Sequence, residues 1–255
     1  MTLRRPDRAA LLAATIVFSL LVPAQALAAE PLRVIAHRGG VVDDTHIENS
    51  RAAIEAAVDR GYWMIEVDVR ESKDGHLVVH HDPDFRRYYG DPRQLADMTW
   101  KEIAALRSAP GGTRPLEFHE LAACVNGRLR VMIDTKPPGH AREFYERMEA
   151  VLREYDLLDT AYFIGTDESK AFFADKARTA IGAEQLRESA DRGVDVADRH
   201  FLFMHGNDMT EAEVRLAQRL EVPVVPSVNT FHYLSPKKHQ ELAAADIRRL
   251  RKLGV

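Results

Sequence analysis

The sequence contains very little cysteine. Cys124 is the one cysteine among 255 residues, so the chain can form neither an internal disulfide nor a metal site with several thiolates. Positive charge is not in excess either, because 39 acidic residues against 35 Lys and Arg give a formal net charge of −4. This balance excludes a general basic field, and we expect no nucleic-acid partner. The content of 45% hydrophobic and 29% charged residues is typical of a folded domain.

Long hydrophobic runs are also scarce. The pronounced run, Ala9–Val22, follows three arginines and precedes a stretch of small residues at 24–29. This order is typical of a secretory signal, and the run is shorter than the ~20 residues of a membrane-spanning helix, which is the alternative. We therefore predict that residues 1–29 are a signal peptide. The protein is then periplasmic or secreted, with no membrane span after cleavage.

Short apolar runs alternate with amphipathic stretches along the remaining chain. The runs that predict strands are Arg33–His37, Trp63–Val69, Leu77–His81, Leu129–Asp134, Ala161–Ile164, Phe201–Met204 and Val222–Val225. The stretches that predict helices are Glu48–Arg60, Thr99–Arg107, Glu143–Tyr155, Ile181–Arg192, Thr210–Leu220 and a last one from Ser235 to Leu253. This alternation predicts an α/β protein with a parallel sheet covered by helices.

The seven strands favour a TIM (β/α)8-type barrel that lacks its C-terminal eighth strand, although an open doubly wound sheet fits the same count. Residues 71–75 are too few for a helical crossover and contain Asp-Gly, which predicts a hairpin or a tight corner. Residues 82–128, approximately, form an insertion after the third strand. We expect one domain over residues 30–255.

Two carboxylates lie on one face of the second strand. Glu66 and Asp68 are two residues apart, so their side chains point the same way. Like charges on a buried face are costly unless a cation lies between them, and Mg2+ and Ca2+ take carboxylate oxygens. Asp134 and Lys136 share a face at the end of the fourth strand, where Asp134 could complete the cation site. The alternatives are a solvated acidic face and a simple salt bridge.

Histidines and an arginine follow two other strands. His37 and Arg38 leave the first strand together, and a guanidinium suits phosphate. The third run ends in His80, His81 and Asp82, and we expect one histidine to be structural and the other an acid or base. This combination of histidines, carboxylates and cations predicts phosphodiester cleavage, in which one histidine activates a nucleophile and another protonates the leaving alkoxide. The sequence has no P-loop, G-x-S-x-G or H-E-x-x-H motif.

Several motifs stand in order within about fifty residues: Ala36-His-Arg-Gly39, Glu48-Asn49, Glu66-Val-Asp68, Lys73-Asp-Gly75 and Val78-Val-His-His-Asp82. This series resembles the glycerophosphodiester phosphodiesterase family, which is related to the phosphatidylinositol phospholipases C and the spider-venom phospholipases D. Weaker likeness continues through Ile133-Asp-Thr-Lys136 to Ser227-Val-Asn229. The resemblance implies a TIM barrel and these roles: a divalent cation, Mg2+ or Ca2+, held by Glu66, Asp68 and Asp134; an acid–base pair of His37 and His81; and phosphate binding by Arg38 and Lys136.

The resemblance also implies an activity. The expected reaction is hydrolysis of a small-molecule glycerophosphodiester to sn-glycerol 3-phosphate and an alcohol. We expect His205, which follows the sixth strand, and Asn229 to line the mouth of the barrel and contribute to substrate binding. Pro226-Ser-Val-Asn229 replaces the family's usual Trp-Thr-Val-Asn, and we expect Phe231, or alternatively Tyr233, to take the place of the lost Trp. The lost Trp, and Asp134 where Glu is common, favour an alternative phospholipase D-like action on intact phospholipid. The missing eighth strand favours a non-catalytic barrel that binds phosphoryl ligands.

Overall fold

The structure, a computed structural model, describes residues 32–40, 43, 45–109, 111–229, 232–233 and 238–255. The predicted signal peptide, residues 1–29, lies outside these residues, as does Phe231. No helix of the described part has the length and hydrophobicity that crossing a bilayer requires.

Strands and helices alternate over most of the described chain. The strands are β1 (Ile35–Ala36), β2 (Met64–Glu71), β3 (Leu77–Val79), β4 (Asp84–Phe85), β5 (Asp91–Gln94), β6 (Leu116–Glu117), β7 (Arg130–Thr135), β8 (Tyr162–Phe163), β9 (Arg178–Ile181), β10 (His200–His205) and β11 (Val224–Ser227). The helices are α1 (Arg51–Asp59), α2 (Arg86–Tyr89), α3 (Trp100–Ala105), α4 (Phe118–Val125), α5 (Arg142–Glu154), α6 (Asp167–Phe173), α7 (Ala183–Asp191), α8 (Glu211–Arg219) and α9 (His239–Lys252).

Seven strands of the main sheet run parallel. β1 pairs with β2, and the sheet continues from β2 through β7, β8, β9 and β10 to β11. Among the described residues β1 and β11 do not pair with each other, so hydrogen bonds do not close the ring. This arrangement confirms the predicted α/β barrel of the TIM type. Because its carboxyl ends gather at one rim, side chains that follow the strands meet there.

Seven strands were predicted and seven parallel strands are present in the described part of the chain, but one predicted strand is not parallel and one parallel strand was missed. Leu77–His81 is not a parallel core strand, because β3 runs antiparallel to β2 and closes the hairpin that Asp-Gly allowed. A strand was missed at β9, whose residues Thr179 and Ile181 are buried while their neighbours are half-buried. The four residues of β9 run directly into the pattern of the next helix, so the sequence predicted that this helix begins at Ile181. Helix α7 begins at Ala183 instead.

Helix starts follow the predicted capping boxes where those exist. The Thr99 and Thr210 side chains accept hydrogen bonds from the Glu102 and Glu213 amides, so α3 and α8 begin where the sequence indicates. Three helices, α2, α4 and α6, were not predicted. The inserted segment at 82–128 holds β4 and β5, which pair antiparallel with α2 between them, and then α3, β6 and α4.

The inward face of the barrel changes character along its strands. On this face Met64, Met132, Tyr162 and Phe201 pack into a buried apolar cluster, in which Met132 stands in register with Glu66. Two residues after Met64 on the same face, the side chain becomes Glu66, which is also buried. The outward face of β2 packs into the larger apolar core against the helices. The sequence therefore forms an apolar base under an acidic rim, and this places the site.

Candidate active site

Three carboxylates converge on the inward face. β2 and β7 are parallel neighbours, and their register sets Asp68 directly beside Asp134. One oxygen of each of Glu66, Asp68 and Asp134 lies within 4.8 Å of the others. Three acidic oxygens at this spacing are a donor set that suits a hard divalent cation.

The protonation of these carboxylates reflects their crowding. Burial, and then the Asp68 charge, raise the pKa of Glu66 to about 8. Burial also raises the pKa of Asp134, although Lys136 acts against it. Burial acts to raise the pKa of Asp68 as well, but the adjacent Lys136 ammonium holds it below its usual value. Full ionisation of all three carboxylates would thus exceed the positive charge around them, and a bound cation would relieve this.

Lys136 lies between two of the carboxylates. Its Nζ donates to Asp68 Oδ1 at 2.7 Å and lies 3.1 Å from Asp134 Oδ2. Burial acts to lower the pKa of Lys136, but these two carboxylates raise it above its usual value. Lys136 therefore stays charged at the edge of the cation site, where an anionic ligand would meet it.

His37 and Arg38 follow β1 on a turn wrapped around Glu66. His37 Nε2 lies 3.9 Å from Glu66 Oε2, and the Arg38 amide donates to the same oxygen at 2.8 Å. Arg38 itself has a φ of 52°, a left-handed conformation that is uncommon for a residue with a side chain. Burial, and then the Arg38 charge, lower the pKa of His37 below its usual 6.5, which favours the neutral imidazole near pH 7.

His81 is held in a defined tautomer. The Arg38 guanidinium donates from Nη2 to His81 Nε2 at 2.8 Å. Since arginine has no acceptor atom, His81 Nε2 accepts, and its proton lies on Nδ1, 2.7 Å from Asp82 Oδ1. Its neighbour His80 is buried, donates from Nε2 to the Asp84 carbonyl oxygen and stacks on Phe85. Of the two histidines, His81 is thus the one that the structure brings to Arg38.

Glu48 connects this rim to the inserted segment. Its buried carboxylate accepts from Arg38 Nη1 at 3.2 and 3.1 Å, from Arg87 Nη1 at 3.3 and 3.2 Å, and from the Tyr88 hydroxyl at 3.3 Å. Arg87 and Tyr88 belong to α2. Glu48 belongs to the Glu48-Asn49 motif identified in the sequence, but no sequence pattern indicated that α2 would contact it.

The other predicted substrate residues lie apart from this network. His205 ends β10, stacks on His232 with ring centroids 3.9 Å apart, and has its Nδ1 3.6 Å from Asp208 Oδ2. Asn229 follows β11 and donates from Nδ2 to Ser227 Oγ at 3.0 Å. Both stand at the same end of the parallel sheet as the carboxylates, but no contact joins either to them among the described residues.

Known proteins are similar to this chain in sequence and fold. Residues 37–156 match the sequence model of the glycerophosphoryl diester phosphodiesterase family. A glycerophosphodiester phosphodiesterase of Homo sapiens is 31% identical over 136 residues, which cover 50% of this chain and 40% of that protein. A lysophospholipase D of Rattus norvegicus is 37% identical over 71 residues, 28% of this chain and 22% of that protein. The chain thus spans about two fifths or less of the length of these relatives.

A solved structure shows the same fold over a longer stretch. An Oleispira antarctica phosphodiesterase in complex with the product sn-glycerol-3-phosphate superposes with a TM-score of 0.65 at 19% identity, covering 88% of this chain and 90% of that one. The family match begins at His37 and extends beyond Lys136, so it contains the carboxylates, both rim histidines and both cations described above. Over residues 37–156, the chain thus matches the glycerophosphoryl diester phosphodiesterase family.

Proposed function

We propose that this protein is a metal-dependent phosphodiesterase that hydrolyses glycerophosphodiesters to sn-glycerol 3-phosphate and an alcohol. The observation that carries the proposal is the set of Glu66, Asp68 and Asp134 oxygens, all within 4.8 Å, beside two cationic side chains and two histidines. A divalent cation held by these carboxylates, Mg2+ or Ca2+, would supply positive charge to the phosphoryl oxygens. The name and product of the family's relatives support the same chemistry.

The two cations of the rim would bind the phosphate. Lys136 stays charged at the edge of the carboxylates, and Arg38 presents a planar fork beside His81. Both groups keep their charge through the reaction, because the neighbouring carboxylates raise the pKa of each despite burial. They would stabilise the negative charge that develops on phosphoryl oxygens in the transition state.

The histidines would move the protons. His37 has a lowered pKa and is therefore neutral near pH 7, so it is the base that takes a proton from the attacking hydroxyl or water. His81 would first take a proton from solvent at Nε2 and then give it to the leaving alkoxide, with Asp82 on Nδ1 stabilising the charged ring. Nε2 cannot both accept from Arg38 and carry a proton, so this step requires Arg38 to donate elsewhere. A phosphoryl oxygen is the alternative acceptor.

Substrate binding beyond the phosphate would fall to the mouth of the barrel. His205, Asn229 and Phe231 remain candidates there, the first two because they follow β10 and β11 at the same rim. We also propose that residues 1–29 direct export, so that the substrate is met in the periplasm or outside the cell.

The decisive experiment follows release of sn-glycerol 3-phosphate from glycerophosphoglycerol and glycerophosphocholine, with Mg2+, with Ca2+ and with EDTA. We expect a rate that EDTA abolishes and that His37→Ala lowers by at least about a hundredfold. A folded protein that releases no product with either cation would refute the proposed activity. An unchanged rate in EDTA would refute its metal dependence.

A second candidate function is a phospholipase D-like action on intact lipid. The relative named lysophospholipase D favours it, since this chain is 37% identical to it over 71 residues. The same assay with micellar phospholipid and lysophospholipid separates the two. A rate with lipid micelles and none with the water-soluble diesters would favour the second candidate, and ligand binding without any turnover would favour a non-catalytic barrel.

A further inference from the structure

A cleft of about 530 Å3 lies beside the candidate active site. Its walls come from the β2–β3 hairpin, from the segment after β7 and from the insertion. Pro137 and Pro83 line it, and each directly follows a residue of the site, Lys136 and Asp82. Arg70 also lines it and stands on the inward face of β2, two residues beyond Asp68. A group bound in the cleft would therefore be a close neighbour of the phosphate.

Arg70 joins the cleft to the catalytic rim. Its guanidinium donates to the His81 carbonyl oxygen from Nε at 2.9 Å and from Nη2 at 2.6 Å. The charges of Asp68, Asp82 and Asp134 all act on it. The same cation thus fixes the chain at His81 and contributes positive charge to the wall of the cleft.

The cleft carries an excess of positive charge. Glu71 is its acidic residue, and that carboxylate pairs with Arg147 and lies 3.2 Å from His140 Nδ1. Lys73 is exposed on the hairpin, lines the cleft and forms no salt bridge with any described residue. Its ammonium is therefore available to a ligand, together with the charge of Arg70.

The composition of the cleft also bears on the class of ligand. A quaternary ammonium group is usually held against Trp, Tyr or Phe rings, and none of these lines the cleft in the described part of the chain. The lining includes the exposed amide side chain of Gln94, which can form hydrogen bonds, and the cations Arg70 and Lys73. We propose that this cleft binds the alcohol arm of the phosphodiester and selects an arm that carries negative charge over a neutral or cationic one. The inference rests on the proposed function for the identity of the phosphodiester.

The test measures binding separately from turnover. Three diesters differ in the charge of the arm: deacylated cardiolipin, whose arm bears a second phosphodiester, glycerophosphoglycerol and glycerophosphocholine. Calorimetry with the His37→Ala protein and Mg2+ gives each Kd without hydrolysis, and the wild-type protein gives the rates. We expect the anionic arm to bind tightest, with a preference that weakens as salt is raised from 50 to 500 mM, the range over which charges become screened.

Lys73 supplies the matched variants. We expect Lys73→Ala to weaken binding of the anionic arm about threefold and Lys73→Glu about tenfold, with little effect on the cationic arm. Both variants keep the backbone hydrogen bond from the Lys73 amide to the Met98 carbonyl oxygen, so the hairpin is preserved. Lys252→Glu makes the same charge change at an exposed position on α9 and should leave all three Kd values unchanged.

The outcomes separate the two proposals. Equal Kd values for the three diesters, or a Lys73→Glu variant that matches Lys252→Glu, would overturn the cleft assignment whatever the rates are. A charge preference that depends on Lys73, in a wild-type protein that hydrolyses none of the diesters, would retain the binding site and refute the proposed activity. Preference in binding and in turnover together would support both.

Discussion

Burial and the neighbouring carboxylates raise the pKa of Glu66 to about 8, whereas a glutamate in an unfolded chain titrates near ~4.3. Between these values the folded protein holds a proton that the unfolded chain has lost. The free energy of unfolding therefore falls as pH rises across this window, by at most about 1.4 kcal/mol per pH unit. A bound cation favours the carboxylate and opposes this loss.

We expect Glu66→Gln to raise the Tm in EDTA at pH 8 more than at pH 5, because the amide cannot ionise. Mg2+ should raise the Tm of the wild-type protein at pH 8 and that of the variant much less. Thermal unfolding at both pH values, with EDTA and with Mg2+, measures this. Glu188→Gln, on the exposed side of α7, is the control and should behave as wild type. Equal Mg2+ stabilisation of wild type and Glu66→Gln would contradict the assignment of Glu66 as a ligand.

His80 and His81 offer a comparison between adjacent residues. His81→Ala should lower kcat by about 10²–10⁴-fold with little change in Tm, since its partly exposed ring faces Arg38 and Asp82. His80→Ala should lower the Tm, because it removes a buried ring and its bond to the Asp84 carbonyl oxygen, and should reduce kcat far less. Rates and melting curves of the two variants check this, and the reverse pattern would exchange their roles.

The site residues were predictable where strand geometry determines them. Alternation on β2 put Glu66 and Asp68 on one face, and the parallel register with β7 added Asp134, so the three carboxylates meet as expected. Strand alternation alone did not decide between His80 and His81, and only the family resemblance indicated His81. The choice depends on the packing of His80 against Phe85, which belongs to β4 in the insertion.

At the scale of an element, helix α2 is the part of the insertion that contacts Glu48 in the candidate active site. Arg87 and Tyr88 donate to Glu48, and Glu48 accepts from Arg38. The Glu48 carboxylate is buried, so its negative charge depends on its cationic partners. Loss of one of them would leave part of that charge unbalanced and would let the Arg38 side chain adopt other orientations. We infer that α2 orients Arg38 through Glu48 and does not itself touch the phosphate.

Two neighbouring arginines test this role. Arg87→Ala should lower kcat/KM about tenfold, the usual scale for a charge-assisted hydrogen bond, and Tyr88→Phe should lower it less. Arg86→Ala removes an equally exposed arginine from the same helix, one that makes no side-chain contact with Glu48, and should stay within about twofold of wild type. If Arg86→Ala and Arg87→Ala reduce kcat/KM equally, α2 contributes only general charge.

The elements that the sequence predicted correctly carry signals within themselves. The capping boxes at Thr99 and Thr210 and the Asp-Gly turn act over a few residues, so they survive folding unchanged. β9 is different, because four residues become a strand only through pairing with β8 and β10. Arg178 of this strand is half-buried and donates to the Ala197 and His200 carbonyl oxygens. These acceptors lie 19 and 22 residues further along the chain, so no local sequence pattern predicts the contacts.

At the scale of the whole molecule, the strands of the parallel sheet differ in burial and in the number of strands with which they pair. Six of the eight residues of β2 are buried, and β2 pairs with β1, β3 and β7. β11 pairs with β10 alone among the described residues, and each of its four residues is only half-buried. An unpaired strand edge opens more readily to solvent than a strand with neighbours on both sides. The half of the barrel that holds the carboxylates should therefore be the more stable half.

Hydrogen exchange of the native protein tests this directly. We expect the amides of Val224, Val225 and Ser227 to exchange about ten- to a hundredfold faster than those of Val131–Ile133 in β7, a difference of about 1.4–2.7 kcal/mol in opening free energy. β10 is the internal control, because it belongs to the same half as β11 but pairs on both sides. Protection of β11 equal to that of β10 would contradict an open edge. It would mean that a segment outside the described residues, or a second copy of the chain, covers β11.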